Sequence, residues 1–549
     1  MKELVFGGIQ IGVSFTSSHA LTPCSVRRSI RWIGCLAASV AGWIFGGCST
    51  PIERTRPLPA DPAAALDRAL PVVALEDGTV LELGLADWMA HLAVPGLSIA
   101  LINDFEVVWA QGFGVTKAGG DTPVTPDTLF QAASISKPVT ALTTMLLVEE
   151  GRLGLDIPVN EFLGQWQLLP AKTTIDRVPT LRELLGHTGG LPGGGFFGYD
   201  PGSPFPTLLE MLDALPPANN PAARIVQAPG ESLVYGGMGY MVVQKVLTER
   251  TGADFVELTE RRVFTPLGLS RSTFAQPLPE DLQDGVAGGH TATGRLIPGG
   301  WRVHTEQAAA GLWTTPGEAA LIAIETARAA RGLSTVLVTP QMAETMLTPH
   351  REDVALGWMR PGGARGELFS HSGANFGFRA YLLMHAETGQ GLAVMTNADS
   401  GERLLLPVIS AAAEAFHWPW RPLRSLSPGT RLALIDGERG PDLALADFLL
   451  QHQRHPQTVS PQDLHEWGNR LFYRDRVDDA LRAFRKNADL YPENKHIRLH
   501  LARAYFAAGH LPDAERIVEH VLALAPDFEP AIRLQACLRR EHPGAGAPD

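Results

Sequence analysis

Cysteine is scarce in this chain of 549 residues: there are four, and Cys24, Cys35 and Cys48 crowd its beginning, which leaves Cys537 alone in the body. No disulfide framework or cysteine-based metal site is therefore available to the folded part. Positive charge is also in short supply, with 46 Lys and Arg against 58 Asp and Glu and a formal net charge of −12. No basic stripe lies beyond the N-terminal segment, which argues against a nucleic-acid partner. Neither His-Glu-x-x-His nor Gly-x-Ser-x-Gly occurs, so the metalloprotease and α/β-hydrolase readings lack their signatures. Gly193-Gly194-Gly195-Phe196-Phe197-Gly198 matches a dinucleotide fingerprint by letters only, with no strand pattern before it and no helix pattern after it. What remains is a globular composition, 45% hydrophobic, on a chain long enough for two or more domains.

Arg27, Arg28 and Arg31 precede an apolar run from Trp32 to Phe45 that ends Phe45-Gly46-Gly47-Cys48-Ser49. A basic stretch, a short apolar stretch and small residues before a Cys read as an export signal, and the final Cys resembles a bacterial lipobox with Cys48 as the lipidated residue. Phe45 stands where that pattern usually has Leu, so an ordinary cleaved signal and an uncleaved anchor stay open. The run is shorter than the roughly 20 residues that a membrane-spanning helix needs. Ser49, rather than Asp, permits onward sorting to an outer membrane. Residues 1–25 sit oddly ahead of such a signal, and translation is expected to start near Val26. The expected location is the periplasmic face, with a lipid anchor in the membrane. Residues 1–48 are thus assigned to export and 49–71 to a Pro-rich tether.

The body begins near residue 72. Leu97–Ile102 and Val107–Phe113 are apolar, β-branched runs joined by Asn103-Asp104, the pattern of an antiparallel hairpin. A helix is expected from Ser134 to a stop at Gly151, and Thr314-Thr315-Pro316-Gly317-Glu318 supplies the cap of another. Phe378–Met384 and Gly391–Thr396 form a second expected hairpin, and Leu404–Phe416 an expected helix. Strands therefore lie at both ends of a domain spanning 72–420. Beyond it come a linker with a helical segment (421–460), a helical tail (461–540) and a disordered end (541–549). In the tail, Ala480 and Ala514, Pro492 and Pro526, and Gly468 and Ala502 recur at the 34-residue tetratricopeptide period. Small residues at those positions allow close helix packing, with Leu471, Phe484, Leu501 and Tyr505 filling the seam. Two repeats bury their faces poorly alone, so Pro530–Arg539 is expected to cap one end and the 430–455 region to pack on the other.

The candidate chemistry centres on Ser134-Ile135-Ser136-Lys137. A Lys three residues after a Ser, on a helix, brings its amine to the hydroxyl. A serine hydroxyl needs such a proton acceptor, and a lysine serves only if its pKa falls from about 10.4 towards roughly 7 to 8. Ser-x-x-Lys arises often by chance, so its companions matter. Tyr235-Gly236-Gly237 lies in a glycine-rich turn before an apolar helix from Met241. Ser370-His371-Ser372-Gly373-Ala374-Asn375 begins a strand near the domain's end. His187 lies in a turn region between them and is expected to hold its loop.

Together these elements resemble the serine β-lactamase-like family, in the branch of class C β-lactamases, D-Ala-D-Ala carboxypeptidases and related esterases. Val148–Val159, Pro266–Leu269 and Ala310–Pro316 look like that family too, and the resemblance covers residues 75–420. It implies an α/β (α+β) fold: an antiparallel sheet flanked by helices, plus an all-α subdomain, with the Ser134 helix between them. By the same resemblance Ser134 is the acylated nucleophile, Lys137 its base, and Tyr235 the proton relay to the leaving group. His371 stands where lactamases have the Lys of Lys-Thr-Gly. The backbone N–H groups of Ser134 and Ala374 form the oxyanion hole, and Gly237, Ser372 and Gly373 belong to the substrate pocket. No cofactor and no metal are implied.

Two departures bear on the substrate. Gly237 replaces the Asn of Tyr-x-Asn and cannot hold an acyl-amide. His371 replaces a permanent cation with an imidazole that is mostly neutral at pH 7. Both favour esters or unusual peptides over penicillins. The sequence thus reads as an exported serine hydrolase of small ester or amide substrates, with a repeat tail for a protein partner. A β-lactamase or carboxypeptidase, and a peptide- or peptidoglycan-binding protein without turnover, are the alternatives.

Overall fold

The computed structural model describes residues 58–361, 367–418, 420 and 426–541. The expected export signal with Cys48 and the first part of the expected tether (49–57) lie outside the described residues, as do 421–425 and the C-terminal end from 542. The rest of the expected tether holds helix Pro62–Arg68, with Leu66 and Leu70 buried in the core, so the folded body begins earlier than residue 72. Among the described residues no helix is long and apolar enough to cross a membrane.

The central sheet has five strands: β1 (Gly96–Asn103), β2 (Glu106–Gly114), β3 (Leu368–Asn375), β4 (Phe378–His385) and β5 (Gly391–Thr396). Their order is β2-β1-β5-β4-β3, antiparallel throughout, so the two ends of the domain interleave in one sheet. Both expected hairpins form. The first turns through Asp104 and Phe105, both left-handed (φ 50° and 60°), which suits the twist of a two-residue hairpin.

Side chains alternate between two buried faces. Ala100, Ile102, Ala380, Leu382, Met384, Ala393 and Met395 point into one hydrophobic cluster. Leu97, Ile99, Leu101, Leu383, Leu392 and Val394 point into another. A sheet covered on both sides explains why its strands read as continuous apolar runs rather than as alternating ones. The first face carries helix Pro316–Ala330, whose capping Thr315 accepts from Glu318 N at 3.2 Å, and beyond it the buried helix Ser136–Glu149. The expected nucleophile helix therefore begins two residues later than Ser134. A strand, Phe130–Ala133, ends at Ala133 with φ 49°, and this kink puts Ser134 in the turn between strand and helix. Helices Leu181–Leu185, Leu208–Asp213, Met238–Thr251 and Phe255–Thr259 build the region on the far side.

The second face carries helices Leu85–Leu92 and Glu402–Ala415 and, through the same cluster, the described helices between 428 and 541. The linker region holds two helices, Pro428–Arg439 and Pro441–Arg454. They are fastened to the start of the domain: Asp447 accepts from Glu76 N at 2.7 Å and pairs with Arg431 at 2.7 Å, while Arg454 pairs with Glu76 at 3.0 Å. Helices Pro461–Tyr473 and Lys495–Ala507, and Val477–Leu490 and Leu511–Leu524, begin 34 residues apart (495 − 461; 511 − 477). Gly468, Ala480, Ala502 and Ala514 are all buried. A side chain at Gly468 would meet the Phe484 ring at 2.9 Å. Helix Glu529–Glu541 packs on the last repeat helix and closes that end.

Candidate active site

The kink at Ala133 presents the Ser134 hydroxyl at the head of a buried helix, one turn from Lys137. The Lys137 amine donates to Ser134 Oγ at 2.8 Å and to the Ala309 carbonyl at 2.9 Å. It is 2% exposed. Loss of hydration lowers its pKa from 10.5 to about 7, against an opposing pull from the Glu306 carboxylate. The rings of Tyr235 and Tyr240 lie 5.2 and 5.5 Å from the amine. Their faces favour the ammonium that forms when Lys137 takes a proton.

Tyr235 lies in the turn before helix Met238–Thr251 and interacts through its hydroxyl with Ser134. Desolvation pushes that hydroxyl up to about 12, although the Ser134 contact opposes the shift and the residue's 40% exposure lets water temper it. Tyr235 thus keeps its proton at neutral pH, where Lys137 gives one up far more readily. Such a separation assigns the base and the acid to different groups.

His187 holds this turn, as expected. It takes a left-handed backbone (φ 58°), its carbonyl accepts from Val234 N at 2.9 Å, and its ring centroid lies 4.4 Å from that of Tyr235, tilted by 40°. Its Nδ1 lies 3.4 Å from Gly236 N, which donates to it. Burial, then the nearby Lys137 and His371, hold it well below the usual histidine range, so it remains neutral.

His371, Ser372, Gly373 and Ala374 lie on the edge strand β3, within the strand rather than at its start. His371 is 2% exposed, and its Nδ1 is 2.7 Å from the Ser372 carbonyl. A carbonyl only accepts, so Nδ1 carries the hydrogen and Nε2 keeps its lone pair. Burial, followed by repulsion from Lys137, lowers its pKa to about 3. Its ring centroid is 6.2 Å from that of Tyr235. Gly373 is pressed against the backbone of Ala132, where a Cβ would meet the carbonyl at 2.2 Å.

Ala374 stands opposite Arg379, one pair from the Asn375–Phe378 pair that closes the two-residue turn. Alternation in an antiparallel ladder then directs its N–H out of the sheet edge. Ser370, of the same parity, shows that direction, exchanging both backbone hydrogen bonds with Met359 outside the sheet. The edge strand is tied to the nucleophile's strand by Asn375 Nδ2, which donates to Gln131 Oε1 and to the Ala310 carbonyl, both at 3.1 Å.

A family model for beta-lactamase matches residues 85–414, more than half of the chain, and one for tetratricopeptide repeats matches residues 471–537. The chain belongs to the beta-lactamase family. Among curated relatives of this beta-lactamase family member, penicillin-binding protein 4 of Amycolatopsis lactamdurans is 31% identical over 188 residues, covering 34% of this chain and 46% of the relative. Protein flp of Staphylococcus aureus strain MW2 is 22% identical over 328 residues, covering 56% and 60%. The match thus spans less than two thirds of the length of either relative. Among solved structures, the octameric penicillin-binding protein homologue from Pyrococcus abyssi is 26% identical, with a TM-score of 0.49 over 61% of this chain and 76% of that one.

Sequence reasoning missed three participants. Ala309 supplies the carbonyl that holds the Lys137 amine. Tyr240 lines that amine from below its ring and donates its hydroxyl to the Leu185 carbonyl at 2.9 Å. Phe196 stands against Gly237. The signal for Phe196 lay in the glycine-rich stretch dismissed as a false fingerprint, since clustered glycines also mark a close approach of backbones.

Proposed function

We propose that this protein is a serine hydrolase that passes through an acyl-enzyme on Ser134 and acts as an esterase or peptidase on small ester or amide substrates. The observation that carries this reading is the 2.8 Å contact from the buried Lys137 amine, whose pKa burial lowers to about 7, to Ser134 Oγ. Neutral Lys137 takes the Ser134 proton as Oγ bonds to the acyl carbon. The carbonyl oxygen becomes an anion, received by the N–H groups of Ser134 and Ala374; loss of one such donor in other enzymes lowers the rate about 100- to 1000-fold. Tyr235, protonated at neutral pH, passes a proton to the departing group, and the ammonium of Lys137 replenishes it. Water then enters and its oxygen bonds to the acyl carbon as Lys137 takes its proton; the ester bond to Ser134 breaks, Lys137 returns that proton to Oγ, and the acid leaves.

His371 is neutral and offers no cation to a substrate carboxylate, and Gly237 offers no amide. These features support esters over penicillins. The export signal and Cys48 support a lipid-anchored, periplasmic location, and the repeats support a protein partner. Hydrolysis of p-nitrophenyl butyrate, with nitrocefin in parallel, by wild type and Ser134→Ala tests the reading. Ser134-dependent ester turnover with little nitrocefin cleavage is expected. Fast nitrocefin cleavage would favour a β-lactamase, and absence of any turnover would overturn the hydrolase.

A further inference from the structure

Gly237 has φ −89° and ψ −18°, a backbone conformation open to any residue. Its lack of a side chain is therefore not demanded by the backbone. The neighbour that excludes one is Phe196: a Cβ at 237 would lie 2.4 Å from Phe196 Cε2 and 3.2 Å from Ala309 Cβ. Ala309 is the residue whose carbonyl holds the Lys137 amine. The Phe196 ring thus stands against the same floor as the base.

The loop that delivers the ring is fixed to the Tyr235 turn backbone against backbone. Gly194 N donates to the Tyr235 carbonyl at 3.2 Å, and Gly237 N donates to the Gly194 carbonyl at 3.0 Å. A side chain at Gly236 would meet Gly193 Cα at 3.0 Å, and one at Gly193 would meet Val234 Cγ1 at 2.7 Å. Gly194 and Gly198 take left-handed conformations at either side of the turn (φ 107° and 66°). Glycines on both segments let them interlock, and the interlock aims Phe196 at Gly237. The next residue, Phe197, is 67% exposed and does not share this role.

We propose that Phe196 determines acyl specificity: its ring walls the acyl side of the site with apolar surface, so that the hydrolase takes esters of short, unsubstituted acyl chains. This rests on the hydrolase reading above. An acyl group bearing an amide beside the scissile carbonyl would place polar atoms against that ring with no partner, and a long chain would collide with it.

The test compares kcat/KM for p-nitrophenyl acetate and octanoate in wild type, Phe196→Ala, Gly237→Ala and the double variant, with Ser134→Ala as control. Phe196→Ala should raise the octanoate-to-acetate ratio about tenfold or more, mainly through KM, as expected when a pocket gains several methylenes of room. Gly237→Ala should alter the ratio strongly beside Phe196 and by less than about twofold in the Phe196→Ala background, because the clash it creates is with that ring. Phe196→Leu, which keeps an apolar side chain, should shift the ratio in the same direction by less and serves if the alanine variant fails to fold. An unchanged ratio in a folded Phe196 variant with Ser134-dependent turnover overturns the proposal alone, as does an equal effect of Gly237→Ala in both backgrounds. Ser134-independent turnover in wild type would remove the hydrolase reading and this proposal with it.

Discussion

Replacing Lys137 by methionine should abolish activity and at the same time change how stability depends on pH. The amine has an ordinary pKa of 10.5 in the unfolded chain and about 7 in the folded one. Below both values, keeping it buried destabilises the fold by about 5 kcal/mol; above both, the penalty vanishes. Between them the unfolded chain holds a proton that the native one has lost, so native stability rises with pH. Integrated from pH 7 to pH 9, the rise is about 2 kcal/mol. Methionine has similar length and no proton, and so lacks this contribution. It also leaves Ser134 Oγ and the Ala309 carbonyl without their donor, an offset that does not vary with pH. His187 and His371, the histidines coupled to Lys137, are held below the histidine range and stay neutral throughout the window. Urea unfolding at pH 7, 8 and 9 should therefore give a wild-type stability that climbs relative to Lys137→Met by about 2 kcal/mol. Wild-type kcat/KM for p-nitrophenyl butyrate should fall about tenfold per pH unit below an acid limb near 7. A stability difference that is flat from pH 7 to 9, or an acid limb near pH 5, would refute a base set by burial.

Other consequences can be checked singly. Lys137→Ala should lose far more activity than His371→Ala, because one removes the base and the other an imidazole that is neutral already; equal losses in folded variants would reverse these roles. Tyr235→Phe should lower kcat about 100-fold or more for alkyl esters and much less for p-nitrophenyl esters, whose leaving group needs no proton; equal losses would deny the relay. Asp436 accepts from Trp467 Nε1 at 3.2 Å and pairs with Arg476 at 2.9 Å, so Asp436→Ala should destabilise the chain by about 2 kcal/mol in thermal or urea unfolding, and an unchanged midpoint would show these contacts to be idle. A chain ending at His455 loses the repeat side of the shared cluster and should keep ester turnover at a lower unfolding midpoint, whereas one ending at Trp420 should aggregate, since it also uncovers the apolar surface under helices 428–454; the opposite ranking would mean those helices do not cover the domain.

Local pattern made much of this architecture legible. β-branched runs around Asn103-Asp104 and Thr315 ahead of Glu318 are short-range signals, and both elements form, the hairpin turning one residue later, at Asp104-Phe105, than the sequence places it. The Ser134, Lys137 and Tyr235 set was legible only through its resemblance to the serine β-lactamase-like family, since Ser-x-x-Lys alone arises often by chance; the structure brings the three together. The left-handed Ala133 was not legible, because alanine gives no sign of positive φ. Ala309 and Phe196 were hidden for another reason. A backbone carbonyl carries no residue-type signature, and an aromatic ring acts here only through its partner's missing side chain, 41 positions away (237 − 196).

The two faces of the sheet give the molecule its division of labour. Alternate residues of β1 and β5 point to opposite clusters, Ala100 and Ala393 towards the nucleophile helix and Ile99 and Val394 towards the helices that carry the repeats. The repeats are fastened to that second side by the Arg403–Glu466 pair, by Asp463 accepting from Gly429 N at 2.9 Å, and by the Asp436 contacts. Ser134 and the repeat surface therefore lie on opposite sides of five strands. A protein held by the repeats leaves the nucleophile's side open to substrate, and any influence of one on the other has to pass through the packed sheet. Because Ala480, Ala502 and Ala514, which interlock the repeats, are buried in the cluster shared with β1, the tail is continuous with the core of the beta-lactamase domain rather than a separate body strung from it.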